Sequence, residues 1–476
     1  MKKGWRKLLA GLALATGLFS CAGERGFTGE VVILHTNDMH AKIARLPRVA
    51  YMVDSIRNVH ENVVLVSAGD LFSGYVTVDQ YPDRGYPMVH MMNNLKYDIS
   101  ALGNHEFDYG QVKLNERMKQ AKFPFVCANV SSAGGILEIP APYKILELPQ
   151  GPKIAFLGLL ESFVDNIPST HPKRVEGLKF PNPYETAKKY TPLKDSADLF
   201  VALSHLGDEP DSVLAEGMPE LDAIVGGHSH VLIPGGKKVN GVLITQAHSM
   251  LKYVGELVAT FENGKLVSLT ERSLPVGKGA VDPVMEELLK QYESDPYFKT
   301  VIGKTEYGFD GQAPLGNLMA DALADQDGID IAVQNYGGVR LDKLPKGDIK
   351  IRDIFALDPF GNQLTMVPMT AKDIKTLLFY GSGKLKRHLF VSGIKYDILR
   401  NAGGEVTGIN IYDKAGKPLD EKKTFTVGMS DYVYSAFSFD RSGDGTPAGL
   451  TTAEAIIEFV KAKKNLSDYS NVKRIK

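Results

Sequence analysis

Eight polar side chains in the first half of the sequence have the types and spacing for metal chemistry. They are Asp38 and His40 in HTNDMH, Asp70 in GDLFSG, Asn104 and His105 in GNHEFDYG, His205 in SHLG, and His228 and His230 in GGHSH. Hard carboxylate oxygens mixed with imidazoles suit Zn²⁺, Mn²⁺ or a similar divalent ion. The absence of ligating thiolates argues against a closed structural zinc cage. Two cations about 3.5–4 Å apart require anions between them, so a bridging carboxylate and a bridging hydroxide are expected.

These residues can meet only if the fold brings them together. From Gly29 to about Leu274 the chain alternates short apolar runs with helix-like stretches. The runs are 31–38, 63–70, 98–106, 153–161, 198–207 and 221–230, and five of the six end in the polar residues above. Near-continuous apolar runs predict strands covered on both faces, and their alternation with helices predicts an α/β fold. In such folds the carboxyl ends of the strands share one crevice, where ligands bind. Each fragment alone has an ordinary explanation as a turn or a packed histidine. Their joint occurrence at successive strand ends does not.

D-x-H, G-D, G-N-H-E, a later His and G-H-x-H together resemble the calcineurin-like metallophosphoesterases, and the fuller forms resemble the 5′-nucleotidase family. The likeness spans nearly the whole mature chain. It implies a four-layer αββα sandwich followed by a smaller α+β substrate-binding domain. It also implies one metal held by Asp38, His40, Asp70 and His230, and a second held by Asp70, Asn104, His205 and His228, with Asp70 as the bridge. Many family members have Gln at the position of His230; imidazole is also a competent ligand, so the site should survive with a metal preference that can differ. His105 is then a proton donor oriented by Asp108, and Glu106 has a structural or supporting role. The cations would neutralise phosphate oxygens and activate a water, while cationic His105 would protonate the departing alkoxide.

The second half carries PLGNLMADAL (314–323), QNYGGVR (334–340), DPFGN (358–362) and SDYVYSAFSFDRSGDG (430–445). Arg340 offers a guanidinium fork for phosphate. Phe360 and Tyr432 offer flat faces for a base, and Asp444 can accept hydrogen bonds from ribose hydroxyls. The resemblance adds Asn335 near the nucleoside. Tyr336 stands where Gly is usual, the arginine expected ahead of the LGNL motif is missing, and Phe437 and Phe439 compete with Tyr432 as the second aromatic. Fewer cations would disfavour polyphosphates such as ADP. His35, His60, His90, His171 and His388 read as packing or surface groups, and His248 lies in a loop that could approach the crevice.

At 476 residues the chain predicts two domains. The expected boundaries are a signal segment over 1–21, a metallophosphoesterase domain over 29–275, a linker helix over 276–296 and a substrate-binding domain over 297–476. In the linker, Asp282 is placed to cap a helix with Pro283 at its first position. A net charge of −1 provides no general attraction for nucleic acid polymers or anionic membranes. MKKGWRK followed by LLAGLALATGLF predicts an export signal whose apolar run is too short to span a bilayer. The following Cys21 resembles the lipid-bearing residue of a bacterial lipoprotein. Cys127, the other of two cysteines, reads as a small buried hydrophobe. No obligate protein partner is expected.

The expected activity is removal of the 5′-phosphate from nucleoside monophosphates by an exported enzyme with two divalent ions. The alternatives are a 2′,3′-cyclic-nucleotide phosphodiesterase or nucleotide-sugar hydrolase on the same site, and a non-catalytic nucleotide-binding surface lipoprotein.

Overall fold

The computed structural model describes residues 26–149, 151–162 and 166–476. The signal segment and Cys21 lie outside the described residues. Among the described residues no helix is long and apolar enough to cross a membrane.

Two six-stranded sheets make the first half. One runs Lys265–Pro275, Tyr253–Glu262, Gly29–Thr36, Val63–Ser67, Ile99–Ala101 and Phe125–Val126, with its last four strands parallel. The other runs Lys237–Val239, Val242–Thr245, Ala223–Gly226, Leu199–His205, Lys153–Leu160 and Tyr143–Glu147, with its four central strands parallel. The strand period of two sorts the apolar residues into layers. Val31, Ile33, Phe156, Val201 and Leu203 fill the space between the sheets. Val32, Leu34 and Leu65 face outward against helices Leu46–Arg57 and Tyr86–Leu95, and Leu157, Phe200 and Ala202 face helix Asp208–Gly217. The result is the expected four-layer αββα sandwich. Cys127 is buried within it, and burial pushes its thiol up to about 12.

Helix Pro283–Tyr292 begins as its sequence predicts, with the Asp282 carboxylate accepting the Met285 amide at 2.8 Å. It is not a free spacer, because Met285, Leu288 and Leu289 pack into the first core.

Beyond it, a five-stranded sheet runs Leu389–Ser392, Ile331–Asn335, Thr424–Ser430, Gln363–Thr370 and Thr446–Thr451. Helices Gln312–Ala324, Ile351–Leu357 and Thr452–Lys463 form one apolar core. Helix Ala371–Phe379 and the hairpin of Ile394–Arg400 with Val406–Asp413 form another. The loops after Ile331–Asn335 and Ile351–Leu357 face the carboxyl ends of the first half's strands across a cleft.

Candidate active site

The metal-ligand candidates sit on turns that leave the strands abruptly. Asp38, His40, Asp70, His228 and His230 all have left-handed backbones, with φ of 48°, 45°, 55°, 74° and 60°. Such conformations cost of order 1 kcal/mol or more each for side-chain-bearing residues, and persist only where the surroundings hold them. Here the turns brace one another. The amide of Asp38 donates to the Gly69 carbonyl (3.0 Å) and that of His40 to the Asp70 carbonyl (3.1 Å). Buried Glu106 accepts the amides of Asp70 (3.0 Å), Leu71 (2.6 Å) and Gly103. A Cβ on Gly103 would lie 2.2 Å from Asp70 Oδ1, so only glycine lets these two loops approach.

The side chains converge as their strand-end positions require. Asp38 Oδ1 is 3.2 Å from His230 Nε2 and 3.9 Å from His205 Nε2. Asp70 Oδ2 is 3.2 Å from His205 Nε2 and 4.0 Å from His40 Nε2. The His228 ring nitrogen Nδ1 is 3.0 Å from Asn104 Oδ1. Three groups have donor atoms close enough to share an ion: Asp38 with His40 and His230, His40 with Asp70 and His105, and Asp38 with Asp70 and His205. Asp38, His40 and Asp70 each belong to two of them.

These residues fit divalent ions. Nε2 of His205 is buried and makes no well-aligned hydrogen bond although it faces Asp70 Oδ2 at 3.2 Å, while its Nδ1 is fixed 2.7 Å from the Ala68 carbonyl. That is how a ligating imidazole is oriented, with its remaining lone pair turned into the site. Burial, reinforced by His205, lowers His228 to about 4 and leaves its ring neutral. His205 goes the other way. Burial opposes its charge, but the Asp70 and Asp38 carboxylates raise it to about 10. Two fully buried carboxylates demand positive charge beside them, and bound cations would supply it.

His105 Nδ1 lies 2.7 Å from Asp108 Oδ2. The Ser73 hydroxyl donates to the same oxygen, and Arg174 Nη1 approaches Asp108 Oδ1 at 3.4 Å. Burial works against a charged His105, but Asp108 and then Asp70 outweigh it and hold the imidazole above its ordinary value. Facing this pair is a cavity of about 830 Å³, lined on one side by Asp70, Asn104, His105 and His228 and on the other by Asn335, Arg340, Phe360 and Tyr432. The Phe360 ring lies nearly parallel to His105, with centroids 5.8 Å apart and planes at 19°.

Residues 31–232 match the calcineurin-like phosphoesterase family, and residues 301–438 match the 5′-nucleotidase C-terminal domain. The two halves of the chain thus each match a domain of the 5′-nucleotidase arrangement. It is 29% identical to a 5′-nucleotidase of Vibrio cholerae over 97% of this chain and 97% of the relative. It is 27% identical to the trifunctional nucleotide phosphoesterase YfkN of Bacillus subtilis, matching 92% of this chain but only 34% of that longer protein. The crystal structure of a 5′-nucleotidase precursor from Thermus thermophilus superposes with a TM-score of 0.83 at 28% identity, covering 94% of this chain and 99% of the other. The paired domain matches and these relatives make the protein a phosphoric monoester hydrolase, and its phosphoesterase half implies divalent ions.

Not every residue expected from the 5′-nucleotidase resemblance reaches the cavity. Asn335, Arg340, Phe360 and Tyr432 line it; Asp444 does not. Asp444 is exposed on a loop drawn the other way, where a Cβ on Gly443 would touch Pro368 and the Gly445 amide donates to the Tyr434 hydroxyl. Phe437 is core, and Phe439 packs against that core beneath Arg441. His248 stacks on Tyr253 outside the cavity. His35, His90 and His388 are packing groups, but His171 lines the cavity. Sequence reasoning also missed Asn37, which donates to Asp38 Oδ2 at 2.6 Å and accepts the Ala247 amide at 2.9 Å. Ser73 and Arg174 were missed as well. The asparagine next to a ligand was the one visible signal.

Proposed function

We propose that this protein removes the 5′-phosphate from nucleoside monophosphates outside the cytoplasm. The observation that carries this reading is the two-ended cavity. Carboxylates and imidazoles sit at one end, and an arginine with two aromatic rings reaches it from the other half of the chain. In this reading Asp38, His40, Asp70 and His230 hold one divalent ion, and Asp70, Asn104, His205 and His228 hold the other. Bound there, the ions supply positive charge to the phosphate oxygens and lower the pKa of water.

The chain's own residues do the rest. Arg340 presents its guanidinium to the phosphate, 3.0 Å from His40 Nε2. Phe360 and Tyr432 take the base, and Asn335 lies beside it. As a water oxygen adds to phosphorus and the bond to the 5′-oxygen breaks, His105 gives its Nε2 proton to that oxygen. Asp108 keeps the ring oriented and stabilises its charge. A surface protein that only bound nucleotides would have no use for this proton donor.

The basic and apolar N-terminal run supports export, and Cys21 supports a lipid anchor. A diacylglyceryl-modified Cys21 in the N-terminal peptide of the mature protein is the expected mass-spectrometric result.

The deciding experiment measures phosphate release from AMP with Mn²⁺ or Zn²⁺, after EDTA, and after metal is restored, beside 2′,3′-cyclic AMP and a nucleotide sugar. AMP turnover lost to EDTA and recovered with metal is expected. Indifference to EDTA, faster cleavage of either diester, or binding without turnover overturns the reading.

A further inference from the structure

The segment Ser169–Arg174 touches both ends of the cavity. Its Ser169 carbonyl accepts from Asn104 Nδ2 at 3.0 Å, and its Ser169 amide is held by the buried Glu161 carboxylate. Farther along, His171 Nε2 lies 3.5 Å from Asp431 Oδ2, and its ring lies 6.4 Å from that of Tyr432. Its Nδ1 accepts the Lys173 amide, so the Nε2 side faces Asp431 with a proton to donate. Arg174 closes the bridge, with Nη1 3.4 Å from Asp108 Oδ1 and Nη2 3.1 Å from the Phe360 carbonyl.

One short strap from the first half thus contacts a metal-ligand candidate, the orienter of the proton donor, and the backbone or neighbour of both base-stacking rings. We infer that His171 and Arg174 are positioning residues that fix the distance between the nucleoside end of the cavity and its phosphate end. This rests on the nucleotide reading above, in which Phe360 and Tyr432 take the base.

The physical argument is registry. A nucleoside bound between two rings on the second half delivers its 5′-phosphate to groups on the first half. Misplacement by about 1 Å can cost on the order of 10²-fold in rate. Among the described residues the aromatic pair has no other polar tie to the first half as direct as these two. Arg174 suits the task because its planar fork donates in two directions at once, to a carboxylate and to a carbonyl. A lysine keeps the charge but is a single point donor. His171 is nearly fully buried, while its partner Asp431 is partly exposed.

The test compares AMP with ribose 5-phosphate on the metal-loaded full chain. Both release a 5′-alkoxide and need the same proton donor, but only AMP has a base to register. In R174Q the AMP to ribose 5-phosphate ratio of kcat/KM is expected to fall at least about tenfold, with R174K failing to restore it. H171N is expected to act in the same direction. Combined with F360A, which keeps the carbonyl but removes the ring that Arg174 positions, R174Q should lower the ratio little further. A ratio unchanged in both single variants, restoration by R174K, or full additivity with F360A overturns the inference while leaving the nucleotide reading standing. A wild-type enzyme with no preference for AMP over ribose 5-phosphate overturns both. Thermal unfolding of each variant within a few degrees of wild type excludes misfolding as the cause of a fall in both substrates.

Discussion

The guanidinium of Arg340 lies 3.0 Å from Nε2 of His40, although 300 residues separate them. Burial and then Arg340 drive His40 well below its ordinary pKa, so the guanidinium sits against a neutral ring and its charge is left for an anion. That anion is the phosphate in the reading proposed above. Replacing Arg340 with alanine removes a charge-assisted contact worth about 1.5–3 kcal/mol. Steady-state kinetics should therefore show kcat/KM for AMP lower by roughly 10- to 150-fold. A change below about threefold would separate Arg340 from phosphate recognition.

His105→Asn removes the proton donor and keeps the cavity filled. The loss for AMP is expected to be on the order of 10²–10⁴ in kcat. p-Nitrophenyl phosphate should lose far less, because nitrophenolate leaves without a proton. The sign of the pH effect follows from the same pair. Burial opposes the imidazolium, but Asp108 and Asp70 keep it protonated beyond the ordinary 6.5. The alkaline limb of the AMP rate should accordingly lie above 6.5, and Asp108→Asn should move it downward. An upward move would contradict the pairing.

Glu106 supplies one carboxylate to the amides of Asp70, Leu71 and Gly103. Glu106→Gln sets an N–H against at least one of those donors. A buried mismatch of this kind costs about 1–3 kcal/mol. Because Asp70 is the shared ligand candidate, metal affinity should also fall roughly 10- to 100-fold. Thermal unfolding with and without Mn²⁺, together with metal content after dialysis, measures both. An undiminished metal content would make Glu106 a stabiliser alone.

The sequence was legible where function follows local rules. Strand ends are marked by apolar runs that stop in polar residues, so Asp38, Asp70, Asn104, His205 and His228 could be placed together without knowing any distance. The parallel register supplied the convergence. The strap bearing His171 and Arg174 has no such mark. It is a short, irregular stretch whose role comes from docking against residues 108, 360 and 431, and no periodicity encodes that. Asp444 lies outside the cavity for a related reason. An aspartate in a glycine-rich loop is equally compatible with either direction of the loop, and here the Gly445 amide donates to the Tyr434 hydroxyl and Asp444 is exposed. Tyr336 shows the reverse case. It lines the cavity where the family usually has Gly, and Arg387 lies over its ring at 4.9 Å, so this part of the wall keeps a cation that the missing arginine had seemed to remove.

A last prediction concerns His35, which sits between the two sheets with Nε2 3.0 Å from Thr245 Oγ1 and Nδ1 buried without a partner. Burial lowers it to about 4 from an ordinary 6.5. The unfolded chain therefore takes up the proton first as pH falls, so stability is lost from 6.5 downward and the loss is complete near 4. The shift corresponds to about 3 kcal/mol. His35→Gln keeps a partner for Thr245 and cannot titrate. Other buried histidines contribute to the acid sensitivity of both proteins and cancel in the comparison. Denaturant unfolding at about pH 7.5 and about pH 4.5 should show the wild type losing roughly 2–3 kcal/mol more than the variant between the two. Equal losses would mean that His35 keeps the same proton affinity in the folded and unfolded chain, which a ring enclosed between two apolar sheet faces does not allow.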